Sequence, residues 1–369
     1  MAEVNWSEIR LNYPLIAKEG AYLSTSFCGA MSNQTVQVQK DCLDVIQLNG
    51  NEVQGDADEA ANRIRDNFIT ILNAKEFESA IIPDVSTAMN VMAETMTGKK
   101  IALLEDDFPT VTVPWVVREY DIEWINKAEL TYSLDEIESA IQGDIEVLAL
   151  SWVMYNSGVR LDLKKIGDLC KDNGVILIVD ATQGLGPNAL NLSEVYVDVL
   201  FASCFKWFLS GFGVGIALAR KDFLDKYPIK AAGHNSVLSA QSSVTDLSNI
   251  RTGLRRLEVG HIKSQQVLAL DSALTELMSI GMSEIQYRTQ DLMDYFVNEI
   301  SKTRHKVLTP IPYSANIVMI KGSQEMSDRL NENKIKVTYR YGYIRLGIYF
   351  YNNREDIDQF IKTISVISE

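Results

Sequence analysis

Five short, almost unbroken apolar runs, set apart by amphipathic stretches, occupy the middle of the chain: "SAIIPD" (79–84), "KIALLE" (100–105), "DIEWIN" (121–126), "IEVLALSWV" (145–153) and "VILIVD" (175–180). An antiparallel strand with one wet face alternates polar and apolar residues. Near-continuous Val/Ile/Leu runs instead mark strands buried on both faces, as in a parallel sheet covered by helices. The segments between them read as helices over 86–96, 112–120, 133–141 and 162–173. In the third of these, Ser133 followed by Glu136 has the spacing of a capping box. The expected fold class is therefore α/β with a mostly parallel sheet.

Upstream lie an extended arm (1–30) and two helical stretches, near 33–48 and 57–73. After residue 220 the pattern changes. A long helix near 261–280 leads to strands in "ANIVMIKG" (315–322), "KIKVTYR" (334–340) and "YGYIRLGIYF" (341–350), then a last helix near 354–367. With 369 residues there is room for two or three domains of about 150 residues. The expected division is an N-terminal arm (1–30) packing with the small domain, a large domain (31–260), and an interdomain helix with a smaller α+β domain (261–369).

The bulk chemistry excludes several functions. A net charge of −14 argues against neutralising nucleic-acid phosphates. No apolar run reaches the roughly 18 residues needed to span a membrane, and "MAEVNWSEIRLNYP" lacks the basic and apolar regions of a signal peptide. Cys28, Cys42, Cys170 and Cys204 have no metal-binding spacing, and free thiols fit a reducing cytoplasm. The three histidines offer no metal motif either. "GFGVG" (211–215) lacks the dinucleotide-binding spacing and precedes an apolar strand. Ser151 lies in no G-x-S-x-G hydrolase motif.

Chemistry concentrates where two apolar runs end. Asp180 closes the strand in "VILIVD", and Lys206 follows the run at 197–203 within "CFKWF". Ligands of open parallel sheets bind beyond the carboxyl ends of the strands, which puts both residues at one edge. A buried carboxylate requires a cationic partner; capping of the "ATQG" turn is the competing reading of Asp180. Aromatic surroundings desolvate a lysine and favour its neutral, nucleophilic amine. A Schiff-base lysine beside a carboxylate that pairs with a protonated ring nitrogen points to pyridoxal 5'-phosphate.

At these residues the sequence resembles the class V aminotransferase family of fold-type I pyridoxal-phosphate enzymes, near its isopenicillin-N epimerase, kynureninase and cysteine-desulfurase branches. The resemblance spans roughly 12–365. It is carried by "DATQGLG" (180–186), "SCFKW" (203–207) with "GFGVG", "DDFPTVTVPW" (106–115), "SWVMYNSG" (151–158), "RRLEVG" (255–260) and "IRLGIYFYNN" (344–353). It implies that Lys206 forms the Schiff base and later shuttles the substrate Cα proton. Asp180 would hold the ring nitrogen protonated, and Gln183 would hydrogen-bond the phenolic oxygen. Phe108 matches the ring-stacking aromatic; the competing reading is a core Phe. Ser86 and Thr87 begin a helix whose free N–H groups favour a phosphate, though Ser86 also reads as a plain N-cap. Ser203 matches a further phosphate contact, and Tyr155 a polar position near the cofactor. Arg345 matches the arginine gripping the substrate α-carboxylate, against the alternative of an edge-strand arginine facing solvent.

Three departures bear on function. Phe205 replaces the His or Tyr that often precedes the lysine. In "EVGH", His261 stands where relatives place a Thr that reaches the partner subunit's phosphate, and it too is a donor. No cysteine follows Cys204, which disfavours desulfurase chemistry using a mobile C-terminal Cys. The expectation is a cytoplasmic homodimer acting on an amino acid as an aminotransferase. The rivals are a lyase of kynureninase or cysteine/cystine-lyase type, an epimerase, and a catalytically idle scaffold.

Overall fold

The computed structural model describes residues 4–18, 20–239, 247–310 and 316–366. Its centre is a seven-stranded sheet. Six of its strands are β2 (Phe77–Ile82), β3 (Ile101–Leu104), β4 (Ile122–Ile125), β5 (Val147–Ser151), β6 (Ile176–Asp180) and β7 (Val199–Ser203), with β8 (Gly215–Arg220) the seventh; β1 (Ala21–Tyr22) belongs to the arm. The spatial order is β2-β8-β7-β6-β5-β3-β4. Neighbours among β3–β7 pair in parallel, and β8 runs antiparallel to both β2 and β7. Hence β2 to β7 all point one way, and the mixed sheet has a single reversed strand. Every residue of β3, β5 and β6 is buried, as their unbroken apolar character requires. One core lies on each face of the sheet.

A third core lies under a three-stranded antiparallel sheet of β9 (Ile317–Lys321), β11 (Thr338–Arg340) and β12 (Tyr343–Gly347). Between β9 and β11 runs β10 (Ile335–Lys336), which pairs in parallel with β1. Arg10 in the arm also grips Asp356 of the last helix through two 2.8 Å hydrogen bonds.

Several boundaries differ from the sequence expectation. The arm is not extended throughout, since Trp6–Leu11 and Pro14–Ala17 are short helices. The helix expected over 112–120 spans Pro109–Val116. Proline suits a first helical turn, and Glu119 at φ 56° lies in the left-handed region beyond its end. Ser133 caps its helix by accepting from Asp135 N at 3.2 Å, without the reciprocal bond from Glu136. The run 334–340 splits into β10 and β11, which pair with different strands. The expected strand 341–350 contracts because Tyr341 (φ 50°) and Gly342 (φ 82°) form a two-residue hairpin turn. The last residue of the helix expected over 354–367 lies outside the described residues.

Candidate active site

Because β2, β3, β5, β6 and β7 share a direction, the segments leaving their carboxyl ends converge on one edge. They line a single cleft. Asp84 and Ser86 follow β2, Phe108 and Thr110 follow β3, and Ser151, Val153 and Tyr155 come from β5 and beyond. Asp180, Thr182 and Gln183 come from β6, and Ser203, Phe205 and Lys206 from β7. Register sets Ser151 opposite Asp180 across β5 and β6. The arm passes directly behind the lysine. Gly29 N donates to Phe205 O at 2.9 Å, and a Cβ at Gly29 would lie 2.0 Å from Lys206 O.

Asp180 is 6% exposed. The one hydrogen bond to its carboxylate among the described residues comes from Thr182 N at 2.9 Å. Burial pushes this carboxyl above its ordinary range, opposed by Thr182 and by the charge of Lys206. The Lys206 ammonium makes no hydrogen bond or ion pair among the described residues. It lies 5.4 Å from the Phe205 ring centroid and 5.7 Å from that of Phe108. Burial pushes its pKa down to about 8; Asp180 acts against the shift, while Arg345 and Arg340 add to it.

Gln183 is locked. Its Oε1 accepts from Trp207 Nε1 at 3.0 Å and its Nε2 donates to Ser26 O at 2.9 Å, so one N–H of the amide remains for a ligand. Ser86 and Thr110 hydroxyls lie 2.8 Å apart at the start of helix Val85–Thr95. Thr182 Oγ1 accepts from Ser203 N at 3.0 Å. The rings of Phe108 and Tyr155 meet edge to face at 5.0 Å.

Three residues singled out in the sequence, Thr87, His261 and Arg345, are not in this lining. Thr87 is tied to the helix N-cap, its N–H and hydroxyl both donating to the Asp84 carboxylate, at 2.7 and 3.0 Å. His261 packs its ring on His234 at 4.6 Å and lines a separate cavity with Gly213 and Val259. Arg345 lies one cavity away, and Tyr155 borders both spaces. The arginine is 7% exposed, donates through Nη1 to Tyr155 O, and leaves its buried Nε without a partner among the described residues. Burial lowers its pKa to about 10, so it stays cationic near neutrality.

Sequence reasoning missed Asp84, Thr110, Thr182 and Asp107. Thr110 and Thr182 sit inside quoted motifs, where their hydroxyls were the available signal. Asp107 accepts from Phe108 N at 2.6 Å and Ser151 N at 2.8 Å, which binds the β3 and β5 ends together. Burial raises it to about 6. Only the fold reveals that role.

The donor set fits pyridoxal phosphate. A half-buried lysine with no hydrogen bond or ion pair among the described residues, a carboxylate accepting from Thr182, an aromatic lid and hydroxyls at a helix N-terminus surround one cleft. Asp84 is the discordant member, a carboxylate at the end that suits an anion. Among the described residues, no cluster of three or more His, Cys, Asp or Glu is placed to hold a metal ion. Among the described residues, no helix is long and apolar enough to cross a membrane.

The architecture is that of the fold-type I pyridoxal-phosphate enzymes. A cysteine desulfurase from Thermococcus onnurineus NA1, solved in its apo form, superposes with a TM-score of 0.85 at 18% identity, covering 99% of this chain and 98% of that one. A C-DES variant with glycine covalently linked to its pyridoxal-phosphate cofactor superposes with a TM-score of 0.88 at 16% identity, covering 97% and 99%. In sequence, residues 45–360 match the family model for Aminotransferase class-V, and the chain belongs to that family. The uncharacterized aminotransferase YcbU of Bacillus subtilis (strain 168) is 28% identical over 308 residues, covering 82% of each chain. The uncharacterized aminotransferase C777.03c of Schizosaccharomyces pombe is 25% identical, covering 82% of this chain and 81% of its own.

Proposed function

We propose that the protein is a pyridoxal-phosphate-dependent aminotransferase acting on an α-amino acid. The observation that carries this is Lys206, desolvated and unpaired, sharing its cleft with the buried, under-bonded Asp180. When bound, the cofactor supplies an aldehyde for the lysine and a ring that draws electrons from the substrate Cα.

In this reading Lys206 holds the cofactor and, once released by substrate, moves a proton at Cα. Asp180 keeps the ring-nitrogen proton in place, which a buried anion short of partners favours. Gln183 donates its remaining N–H to the phenolic oxygen. Phe108 covers the ring with Tyr155 beside it, while Ser86, Thr87 and Ser203 mark the phosphate end. Thr110 joins them through its contact with Ser86, and Thr87 reaches an anion only by leaving Asp84. Arg345 takes the substrate carboxylate as a planar two-pronged donor.

The same reading divides the chain into an arm (1–30), a large cofactor-binding domain (31–260) and an interdomain helix with a small domain (261–369). The seven-stranded sheet within 77–220 and the separate sheet within 317–347 support it. It makes the protein a homodimer, in which His261 reaches the partner's cofactor phosphate. Phe212, 64% exposed, and Val259, 41% exposed, offer an apolar face near it. Four free cysteines support a cytoplasmic location.

A lyase is the second reading, favoured by likeness to the C-DES fold. A panel of amino acids offered with and without 2-oxo acids separates the two. Amino transfer requires the oxo acid for turnover, whereas a lyase releases its product without one. Borohydride reduction with peptide mapping tests the shared premise, and a stable adduct on any residue but Lys206 would refute it.

A further inference from the structure

Beside the cofactor cleft, across Tyr155, lies a cavity whose lining includes Arg345, Arg340, Thr338 and Tyr343. Strand register explains why two arginines meet there. Thr338 is opposite Arg345 and Arg340 is opposite Tyr343. Side chains alternate faces along a strand, so Arg340 and Arg345 share one face as a diagonal cross-strand pair, with Cβ atoms about 7–8 Å apart. The tight turn at Tyr341 and Gly342 fixes that spacing.

Like charges at such positions repel; Arg345 is buried, whereas Arg340 stands at the exposed end of its strand, where water screens it on one side and the cavity lies on the other. Arg345 spends Nη1 on Tyr155 O and has a long 3.5 Å contact from Nη2 to Thr338 Oγ1, while its Nε has no partner among the described residues. Arg340 forms no hydrogen bond or ion pair among the described residues. Two carboxylates line the cavity. Asp106 is bound to Lys127, and Glu129 pairs with neither arginine. A single substrate carboxylate would answer Arg345 and leave Arg340 unmatched at the cavity wall.

Resting on the pyridoxal-phosphate reading, we propose that the substrate is a dicarboxylic α-amino acid, of the aspartate or glutamate type, or the matching 2-oxo acid. Arg345 holds one carboxylate and Arg340 the other, which makes Arg340 the residue that sets side-chain specificity. The tyrosines around the cavity pack on the intervening methylenes.

The test uses the holoenzyme, titrated with glutamate, aspartate, glutamine, asparagine and phenylalanine while the absorbance of the bound cofactor is followed. Glutarate and succinate serve as unreactive competitors. Wild type is expected to bind the better acid at least about tenfold more tightly than its amide, the scale of one charge-assisted hydrogen bond. In Arg340→Ala the acid-to-amide ratio falls toward one, and competition by the dicarboxylates weakens in step. Arg340→Lys restores part of the ratio, because it keeps the charge and loses the fork. Equal affinity for acid and amide in wild type, tightest binding of phenylalanine, or an unchanged ratio in Arg340→Ala overturns the inference while leaving the cofactor reading intact. Failure of the protein to form any cofactor adduct on Lys206 overturns both.

Discussion

The Lys206 amine should titrate near pH 8, and this can be measured without knowing the substrate. Burial is the main cause of its lowered value, with Arg345 and Arg340 contributing and Asp180 opposing. At pH 7 a group titrating at about 8 is neutral in roughly one molecule in ten, against roughly one in 2500 for an ordinary lysine. The nucleophilic form is therefore enriched about two-hundredfold. The assay is the rate at which apoprotein forms its visible adduct with pyridoxal phosphate as a function of pH, with the product trapped by borohydride. The rate should rise with a midpoint near 8. Asp180→Asn removes the opposing charge and moves the midpoint down, and Arg345→Met removes a cation and moves it up. Linkage gives a second readout. Lysine is a base, so a folded-state value below the unfolded one costs stability wherever the amine is charged. That cost is full below about pH 8 and disappears as the pH rises toward the unfolded value. Apoprotein should gain stability over that window, and Lys206→Met should lose the gain. A midpoint near 10.5, or shifts of the wrong sign in the two charge variants, would refute the reasoning.

Three further outcomes are expected. Arg65 and Glu258 form a buried bidentate pair at 2.9 Å, and the carboxylate also accepts from Ile81 N and from Arg255 Nε at 3.2 Å, so Arg65→Ala removes one of two cationic partners and should cost about 1.5–3 kcal/mol; denaturant unfolding checks this, and a loss under 1 kcal/mol contradicts it. Asp84→Asn should bind pyridoxal phosphate more tightly but leave affinity for unphosphorylated pyridoxal unchanged, since only the phosphate meets the removed charge; equal gains for both ligands exclude that cause. Gly29→Ala should loosen the arm, because its Cβ collides with Lys206 O, and speed cofactor loss in a dilution assay; unaltered retention shows that the arm does not support the lysine.

The centre of the sheet was legible because β3, β5 and β6 are buried on both faces, and burial on both faces leaves no alternation to misread. Asp180 and Lys206 were legible for a related reason: a charge at the end of such a run has few places to go. What was missed depends on contacts between distant segments. Nothing local distinguishes Asp107 from Asp106, yet Asp107 accepts two backbone N–H groups across β3 and β5 while Asp106 pairs with Lys127. The break between β10 and β11 was invisible because both pieces have strand composition and only their partners differ. What Thr87 donates to was hidden for a similar reason. A threonine at a helix start reads as a free donor until the acceptor three residues earlier is seen to hold it.

Asp84 ties these observations together. As an N-cap it stabilises its helix, typically by about 1 kcal/mol, and it does so at the helix end that would receive an anion. The cleft thus carries a carboxylate, Asp84, at its donor-rich end, and at the other a desolvated Lys206 with Asp180 in the same lining. A ligand with an anionic group and a protonated ring nitrogen relieves the second conflict and sharpens the first, unless Thr87 turns its hydroxyl and N–H from Asp84 to the anion. The cap's cost falls on cofactor affinity rather than on folding, which is why replacing Asp84 should separate the phosphorylated ligand from its unphosphorylated analogue.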